Sequence, residues 1–98
     1  MLTGKQKRFL RSKAMTMDAL YQIGKEGLSD SFVAQIDDAL EARELIKIKI
    51  LKNSAEVAAD VGDTLAGELG AEVAQIIGHT VVLYRKSEKK PRIELPRG

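Results

Sequence analysis

The sequence Gly24-Lys25-Glu26-Gly27 constrains the fold most, because a strand-like apolar run precedes it and a helix start follows it at once. Residues 19–23 supply the predicted strand, and the two glycines end it. Ser29 is a typical N-cap for the helix that follows. Glycines let another backbone approach closely, and a helix N-terminus favours an anion. Together with the positive charge of Lys25, this stretch predicts a place for a phosphate group.

Hydrophobic periodicity divides the remaining chain into alternating helices and strands. Helical stripes predict helices over residues 3–15, 29–43 and 53–69, the last opened by Asn53 and Glu56 in a capping-box pattern. Apolar and alternating runs predict strands over residues 19–23, 45–51, 72–77 and 80–85, with Gly78 and His79 turning the final hairpin. The predicted order is α-β-α-β-α-β-β, which we interpret as a single α/β domain.

The strand patterns also predict how the layers stack. Ile46, Ile48 and Ile50 alternate with Lys47 and Lys49, so one face of this strand should be buried and the other wet and basic. The last strand is apolar on both faces, which favours a central position. Right-handed crossovers place the second and third helices on one face of a four-stranded mixed sheet, and the first helix is the candidate cover for the other face. Composition leaves the strand orders 1-2-4-3 and 1-2-3-4 open.

Charge is distributed unevenly along the 98 residues, although the net charge is only +2. Residues 1–25 hold six basic side chains and one acid, residues 26–78 hold four basic and eleven acidic, and residues 79–98 hold six basic and two acidic. This pattern predicts a surface directed at a polyanion, with solvated basic ends that only aid solubility as the alternative. Residues 86–98 contain both prolines and little apolar weight, so we interpret them as a flexible basic tail after a domain of residues 1–85.

Several function classes lack the residues that they need. Cysteine is absent, which excludes disulfides, thiolate catalysis and cysteine-ligated zinc, and it fits a reducing, cytoplasmic location. No apolar run approaches the roughly 20 residues needed to cross a bilayer, and no signal-peptide core follows the basic start. The single histidine, His79, lies in a predicted turn, and the chain has no GxxxxGK[ST] motif. We therefore expect no enzyme activity, cofactor, metal site, small-molecule substrate or membrane contact.

A GxxG sequence is a weak signal by itself, and the chain contains a second copy at Gly67-Glu68-Leu69-Gly70. That copy lies at a predicted helix C-terminus, where the dipole is negative, so it indicates helix termination. The first copy differs in its strand-to-helix context, its lysine and the basic helix before it. Contact with a nucleic-acid backbone and a tight turn without a ligand both remain open for it. The few aromatic residues form no stacking platform, so any RNA contact should be with backbone and shape.

Four stretches follow one another over nearly the whole chain: Leu2-Thr-Gly-Lys-Gln-Lys-Arg-Phe-Leu-Arg11, Gln22-Ile-Gly-Lys-Glu-Gly-Leu28, Ala39-Leu-Glu-Ala-Arg-Glu-Leu-Ile-Lys47 and Gln75-Ile-Ile-Gly-His-Thr-Val-Val-Leu-Tyr-Arg85. In this order they resemble the CRM (chloroplast RNA splicing and ribosome maturation) domain family, and in particular its stand-alone bacterial, YhbY-like members. The resemblance implies RNA binding in precursors of the large ribosomal subunit. It also implies strand order 1-2-4-3 and a fold similar to the C-terminal domain of bacterial translation initiation factor three.

The family's GxxG loop, which resembles that of KH domains, maps onto residues 24–27 of this chain. Two departures from the family pattern stand out. Residues 15–19 are less basic than is usual in the family, which leaves the extent of the basic surface toward the loop undetermined. Arg43 stands where a histidine is common.

We therefore predict a non-catalytic protein that binds ribosomal RNA in large-subunit precursors through the loop and the first helix. The predicted RNA-contacting residues are Gly24, Lys25, Glu26 and Gly27 in the loop, and Lys5, Lys7, Arg8, Arg11 and Lys13 in the helix. Lys47 and Lys49 are weaker candidates, because an exposed strand face commonly carries lysines. Two alternatives from other classes remain: a protein-interaction module that uses the acidic second and third helices, and a small nucleotide-dependent enzyme.

Overall fold

The computed structural model describes residues 2–97 and confirms the predicted order of elements. Along the chain these are α1 (Gly4–Ala14), β1 (Tyr21–Ile23), α2 (Asp30–Arg43), β2 (Leu45–Ile50), α3 (Ala58–Leu69), β3 (Glu72–Ile77) and β4 (Thr80–Tyr84). Met1 and Gly98, the ends of the predicted domain and tail, lie outside the described residues. No helix within residues 2–97 combines the length and apolar composition that crossing a bilayer requires.

The four strands form one mixed sheet in the order β1-β2-β4-β3. β1 runs parallel to β2, whereas β4 runs antiparallel to both of its neighbours, β2 and β3. This is the order that the family resemblance implies, and it resolves the choice that composition leaves open. The physical reason is the apolar character of β4 on both faces, since the central position lets both faces be covered.

Each face of the sheet carries its own apolar cluster. On one face α2 and α3 cover the isoleucines of β2, of which Ile48 is fully buried. On the other face Leu10 and Ala14 of α1 pack against residues of β2, β3 and β4 such as Leu45 and Val82. The first helix is therefore the second cover that the sequence predicts. Fully burying a side chain of the size of Leu10 contributes roughly 1.5–3 kcal/mol, which fixes α1 on the sheet.

Side-chain caps open α1 and α2, and the one at Ser29 is predicted from the sequence, but the predicted cap of α3 is absent. Thr3 and Gln6 make a reciprocal capping box at α1, and the Ser29 hydroxyl accepts a hydrogen bond from the Phe32 N–H at α2. The predicted capping box of Asn53 and Glu56 is wrong, because α3 begins only after Val57, which makes no side-chain cap bond. The Glu56 carboxylate instead accepts a hydrogen bond from a distant loop, as described below.

Residues 86–97, called here the C-terminal strap, form no helix or strand but are not a free tail. The buried Glu44 carboxylate accepts hydrogen bonds from the N–H groups of Ser87, Arg92 and Ile93 at 2.9, 2.7 and 2.9 Å. Ile93 and Leu95 pack against the α1 side of the core. Two carboxylates near the end of α2, Glu44 and Glu41, thus bind the strap in the folded structure. The domain limit at residue 85 and the flexibility of the tail stay predictions.

Candidate nucleic-acid interface

The GxxG loop is a tight turn between β1 and α2. The Gly27 N–H donates to the Gly24 carbonyl at 3.1 Å, and the Ser29 N–H donates to the Gly27 carbonyl at 3.0 Å. Lys25 and Glu26 lie at the exposed tip of this turn. Within residues 2–97 the backbone N–H groups of these two residues donate no hydrogen bond, so they are available to a ligand. The loop therefore offers free amides beside the N-terminus of α2, an arrangement that suits an anion.

The carboxylate of Glu56 fixes the second half of this loop. Its Oε2 atom accepts a hydrogen bond from the Leu28 N–H at 3.2 Å. Gly27 has φ +66°, and a Cβ at this position would collide with the same carboxylate oxygen. Glycine is therefore required at residue 27 for two reasons, the backbone conformation and the close approach of Glu56. Sequence reasoning missed this role because the spacing from Asn53 to Glu56 is that of a helix cap.

The charges of the loop do not by themselves favour RNA. Lys25 and Glu26 are both exposed and opposite in sign, and Asp30 in the first turn of α2 and Glu56 add two more carboxylates nearby. What the loop contributes is backbone donors, held in a defined turn, rather than net positive charge. A polyanion would need its electrostatic attraction from another part of the surface.

That attraction is available on α1. All five predicted contact residues of this helix have exposed side chains, namely Lys5, Lys7, Arg8, Arg11 and Lys13, while Leu10 and Ala14 face the sheet. None of the five lies within ion-pair distance of an acidic side chain in the described part of the chain, where the ion pair found is Arg85 with Asp37. Cations without acidic partners stay free to neutralise phosphates.

Strand β2 connects the helix to the loop. The Lys47 ammonium donates to the carbonyl oxygens of Ala14 and Met17 at 3.0 and 3.2 Å, which ties the end of α1 to the strand. The predicted wet basic face of this strand is thus wrong at Lys47, because the end of the helix covers it. Lys49 remains exposed, two residues nearer the loop on the same face. The loop itself joins the end of β2, where the Leu51 N–H donates to the Ile23 carbonyl at 2.8 Å.

The distance along this path is short. Lys47 and Ile50 are three residues apart, or roughly 10 Å along an extended strand. Lys49 therefore lies along β2 between Lys47, which contacts the end of α1, and the GxxG loop. The structure does not bring Lys5 close to the loop, because α1 extends from Lys47 in the opposite direction, toward the strap, where the Gln6 side chain donates to the Pro96 carbonyl at 3.0 Å.

The acidic second helix is largely engaged within the protein. Arg85 binds Asp37 at 2.6 Å and also donates to the Leu69 carbonyl at 3.0 Å. Glu41 and Glu44 accept hydrogen bonds from the strap. Within residues 2–97 no cluster of three or more His, Asp or Glu side chains is placed to hold a metal ion. Of the four acidic side chains of α2, Asp37 and Glu41 make these contacts, and Asp30 and Asp38 remain exposed.

Comparison with known proteins gives a family match over most of the chain. The family described as the CRS1 / YhbY (CRM) domain matches residues 2–85. The chain is 50% identical over 96 residues to the probable RNA-binding protein YqeI of Bacillus subtilis, a match that covers 98% of this chain and 100% of that protein. It is 38% identical over 96 residues to an RNA-binding protein of Haemophilus influenzae, covering 98% of this chain and 96% of the other.

A solved structure has the same fold. The solution structure of the hypothetical protein SAV1595 from Staphylococcus aureus superimposes with a TM-score of 0.80 at 47% sequence identity. The match covers 98% of this chain and 100% of the other.

Proposed function

Because the chain belongs to the CRS1 / YhbY (CRM) domain family, we propose that it is a non-catalytic RNA-binding protein. One observation carries the proposal: the five cations of α1 form an exposed face with no acidic partner in the described part of the chain. The names of two relatives, from Bacillus subtilis and Haemophilus influenzae, state RNA binding for those proteins. The basic residues and loop amides suit phosphate groups, which position an RNA without reading its sequence.

The roles that we assign follow from the chemistry of each group. Lys7, Arg8 and Arg11 neutralise phosphates along the outer face of α1, with Lys5 and Lys13 at its two ends. In the loop, the N–H groups of Lys25 and Glu26 donate to a phosphate oxygen, and Gly24 lets the backbone come close. Gly27 keeps the turn closed against Glu56. Lys49 extends the basic surface between the helix and the loop.

For the target we propose ribosomal RNA in large-subunit precursors, bound in the cytoplasm, with residues 1–85 as the RNA-binding domain. The support is the family resemblance together with the backbone-directed surface, which fits a folded RNA better than a single-stranded sequence motif. The alternative, a protein-interaction module on the acidic helices, is weakened because Asp37 and Glu41 of α2, and Glu44 just after it, make contacts within the protein.

The target can be tested by crosslinking the protein to RNA in cell extract and sequencing the attached RNA. We expect crosslinks concentrated in large-subunit ribosomal RNA and its precursors, and fewer of them for a variant with Lys7, Arg8 and Arg11 changed to Gln. Crosslinks spread over unrelated messenger RNAs in proportion to their abundance would contradict the ribosomal target while leaving RNA binding in place. Absence of any crosslinked RNA would contradict the proposed function itself.

A further inference from the structure

A second basic site lies at the opposite end of β2 from the GxxG loop. An open cavity of about 370 Å³ is bounded by the end of α1, the end of α2 and the C-terminal strap. Each of these three segments places one cation on its wall: Lys13, Arg43 and Arg92. Leu45 and Ile93 supply apolar lining, and no acidic side chain of the described residues lines the cavity. We call this cavity the strap pocket.

The nearest carboxylate, that of Glu44, is already engaged. Glu44 is buried, and both of its oxygens accept hydrogen bonds from backbone N–H groups of the strap. Arg92 contributes its backbone N–H to this contact, at 2.7 Å, while its side chain remains exposed. The guanidinium is therefore exposed to an external ligand, although its charge also helps to lower the pKa of Glu44.

Hydrogen bonds also offset the partial negative charge at the C-terminal end of α1, which borders the pocket. The carbonyl of Ala14 accepts from the Lys47 ammonium, and the carbonyl of Lys13 accepts from the Thr16 hydroxyl at 3.3 Å. Carbonyl groups at a helix C-terminus would otherwise repel an anion. With these acceptors engaged, the charged side chains that line the pocket are the three cations Lys13, Arg43 and Arg92.

We propose that the strap pocket binds a phosphate group of the same RNA that α1 holds, an inference that rests on the proposed function. Arg43 and Arg92 act as the main donors, since a guanidinium can donate two parallel hydrogen bonds to a phosphate. Lys13 belongs both to the pocket and to the basic face of α1, so it joins the two surfaces. Leu45 and Ile50 are five residues apart on β2, so the pocket and the loop lie roughly 17 Å apart along the strand. The bound RNA therefore reaches both ends of β2.

The test is a salt titration of binding to a structured fragment of large-subunit ribosomal RNA, with wild type, R43Q/R92Q and K86Q/K89Q. The control pair removes the same charge, but its lysines lie outside the pocket, beside Asp37 and Glu41. We expect R43Q/R92Q to make the slope of log K against log salt shallower by about 0.7–0.9, the change for one lost phosphate contact. The control pair should leave the slope unchanged, and R43K/R92K should restore most of it.

Thermal melts of each variant should match that of wild type, since the hydrogen bonds to Glu44 come from backbone N–H groups and not from the arginine side chains. An unchanged slope for R43Q/R92Q, or an equal change of slope for K86Q/K89Q, overturns the proposed phosphate site in the strap pocket. The proposed function still holds in either case if the wild-type protein binds the RNA. Wild type without salt-dependent RNA binding overturns both.

Inorganic phosphate separates the two sources of the ligand. We expect NMR signals of the Arg43 and Arg92 side chains to shift with the RNA fragment and not with inorganic phosphate at the same concentration. Saturation by inorganic phosphate alone would assign the pocket to a free anion instead of RNA.

Discussion

Glu56 joins two loops that are 28 residues apart in the sequence. Its carboxylate accepts from the Leu28 N–H at 3.2 Å, and its own N–H donates to the Ser54 hydroxyl at 3.2 Å. The residue thereby links the turn that ends at Gly27 to the segment between β2 and α3. The carboxylate is negative and lies beside the proposed phosphate site, so it cannot attract the phosphate. Its role is to hold the loop in position.

Replacing Glu56 separates these two effects. Glu56→Ala leaves the Leu28 N–H without its acceptor, so we expect a loss of about 1 kcal/mol in the free energy of unfolding and weaker RNA binding. Glu56→Gln keeps an acceptor oxygen and removes a charge that repels phosphate, so it should bind RNA at least as tightly as wild type. Denaturant melts and RNA titrations of the two variants measure both quantities. Wild-type behaviour of Glu56→Ala in both would show that Glu56 does not support the loop.

The two loop glycines should respond differently to substitution. A Cβ on Gly24 would meet only Asn53 and Leu51 at ordinary distances of 3.8 and 3.9 Å, and its φ is not positive. Gly24→Asp should therefore fold normally and bind RNA several-fold more weakly, because it places a carboxylate beside the phosphate site. A folded Gly24→Asp that binds RNA as wild type does would mean that the loop is only a turn.

Gly27→Ala should instead destabilise the fold by more than about 1 kcal/mol, because φ is +66° and the Cβ meets Glu56. Combining it with Glu56→Ala removes the collision, so the double variant should lose less than the sum of the single losses. Additive losses in denaturant melts would indicate that only the backbone conformation matters at this glycine.

At the scale of elements, the strap shows how carboxylates can order a segment without secondary structure. Burial raises the pKa of Glu44, but the N–H groups of Ser87, Arg92 and Ile93 outweigh it and hold that pKa below its ordinary value. Hydrogen bonds from the Ser87 hydroxyl and two strap N–H groups likewise lower the pKa of Glu41. Both carboxylates are therefore stabilised in the ionised form by the folded strap.

Stability should consequently depend on pH in the acid range. A pKa that is lower in the folded than in the unfolded state adds stability above the unfolded pKa of about 4.3, and this is lost as pH falls through the folded pKa. Glu44→Gln should be less stable at pH 7 and should show a shallower fall in Tm between about pH 5 and 3. Glu94→Gln, an exposed strap residue, is the matched control. The same pH profile for Glu44→Gln and wild type would contradict the role of this carboxylate.

Sequence patterns predicted the helices and strands that depend on neighbouring residues. They missed the contacts between residues that are far apart in the chain. The Ser29 cap, the alternation of β2 and the apolar β4 are all set by neighbouring residues, so these elements could be predicted from them. The strap has the composition of a disordered segment, and its order depends on two glutamates about 45 residues earlier in the chain. No periodicity along the chain reports such a pairing.

The candidate site likewise has features that the sequence predicts and features that depend on the fold. The exposed basic face of α1 could be predicted because helical spacing separates its charged and apolar residues. The burial of Lys47 under the end of α1 and the approach of Glu56 to Gly27 could not, because both depend on how separate elements pack. For the same reason the pocket formed by Lys13, Arg43 and Arg92 appears only in the folded molecule.

For the molecule as a whole, the charges divide into an internal and an external set. Carboxylates of α2 and of Glu44 at its end hold Arg85 and the strap, while the cations of α1 are exposed without acidic partners in the described part of the chain. A chain with a net charge of only +2 can thus present a strongly basic face. This separation is the central claim of the structural account, and it predicts RNA binding dominated by phosphate contacts.

The most direct measurement of that claim is the salt dependence of RNA binding for wild type and K7Q/R8Q/R11Q, on one structured ribosomal fragment and one unrelated hairpin. We predict that the variant's slope of log K against log salt is shallower by about 2–3 units, at roughly 0.7–0.9 per phosphate contact, and equally so on both RNAs. K86Q/K89Q/K90Q, which removes the same charge from the strap, should leave the slope near that of wild type. An unchanged slope for K7Q/R8Q/R11Q would remove α1 from the RNA surface, and a loss confined to one RNA would contradict recognition through phosphates alone.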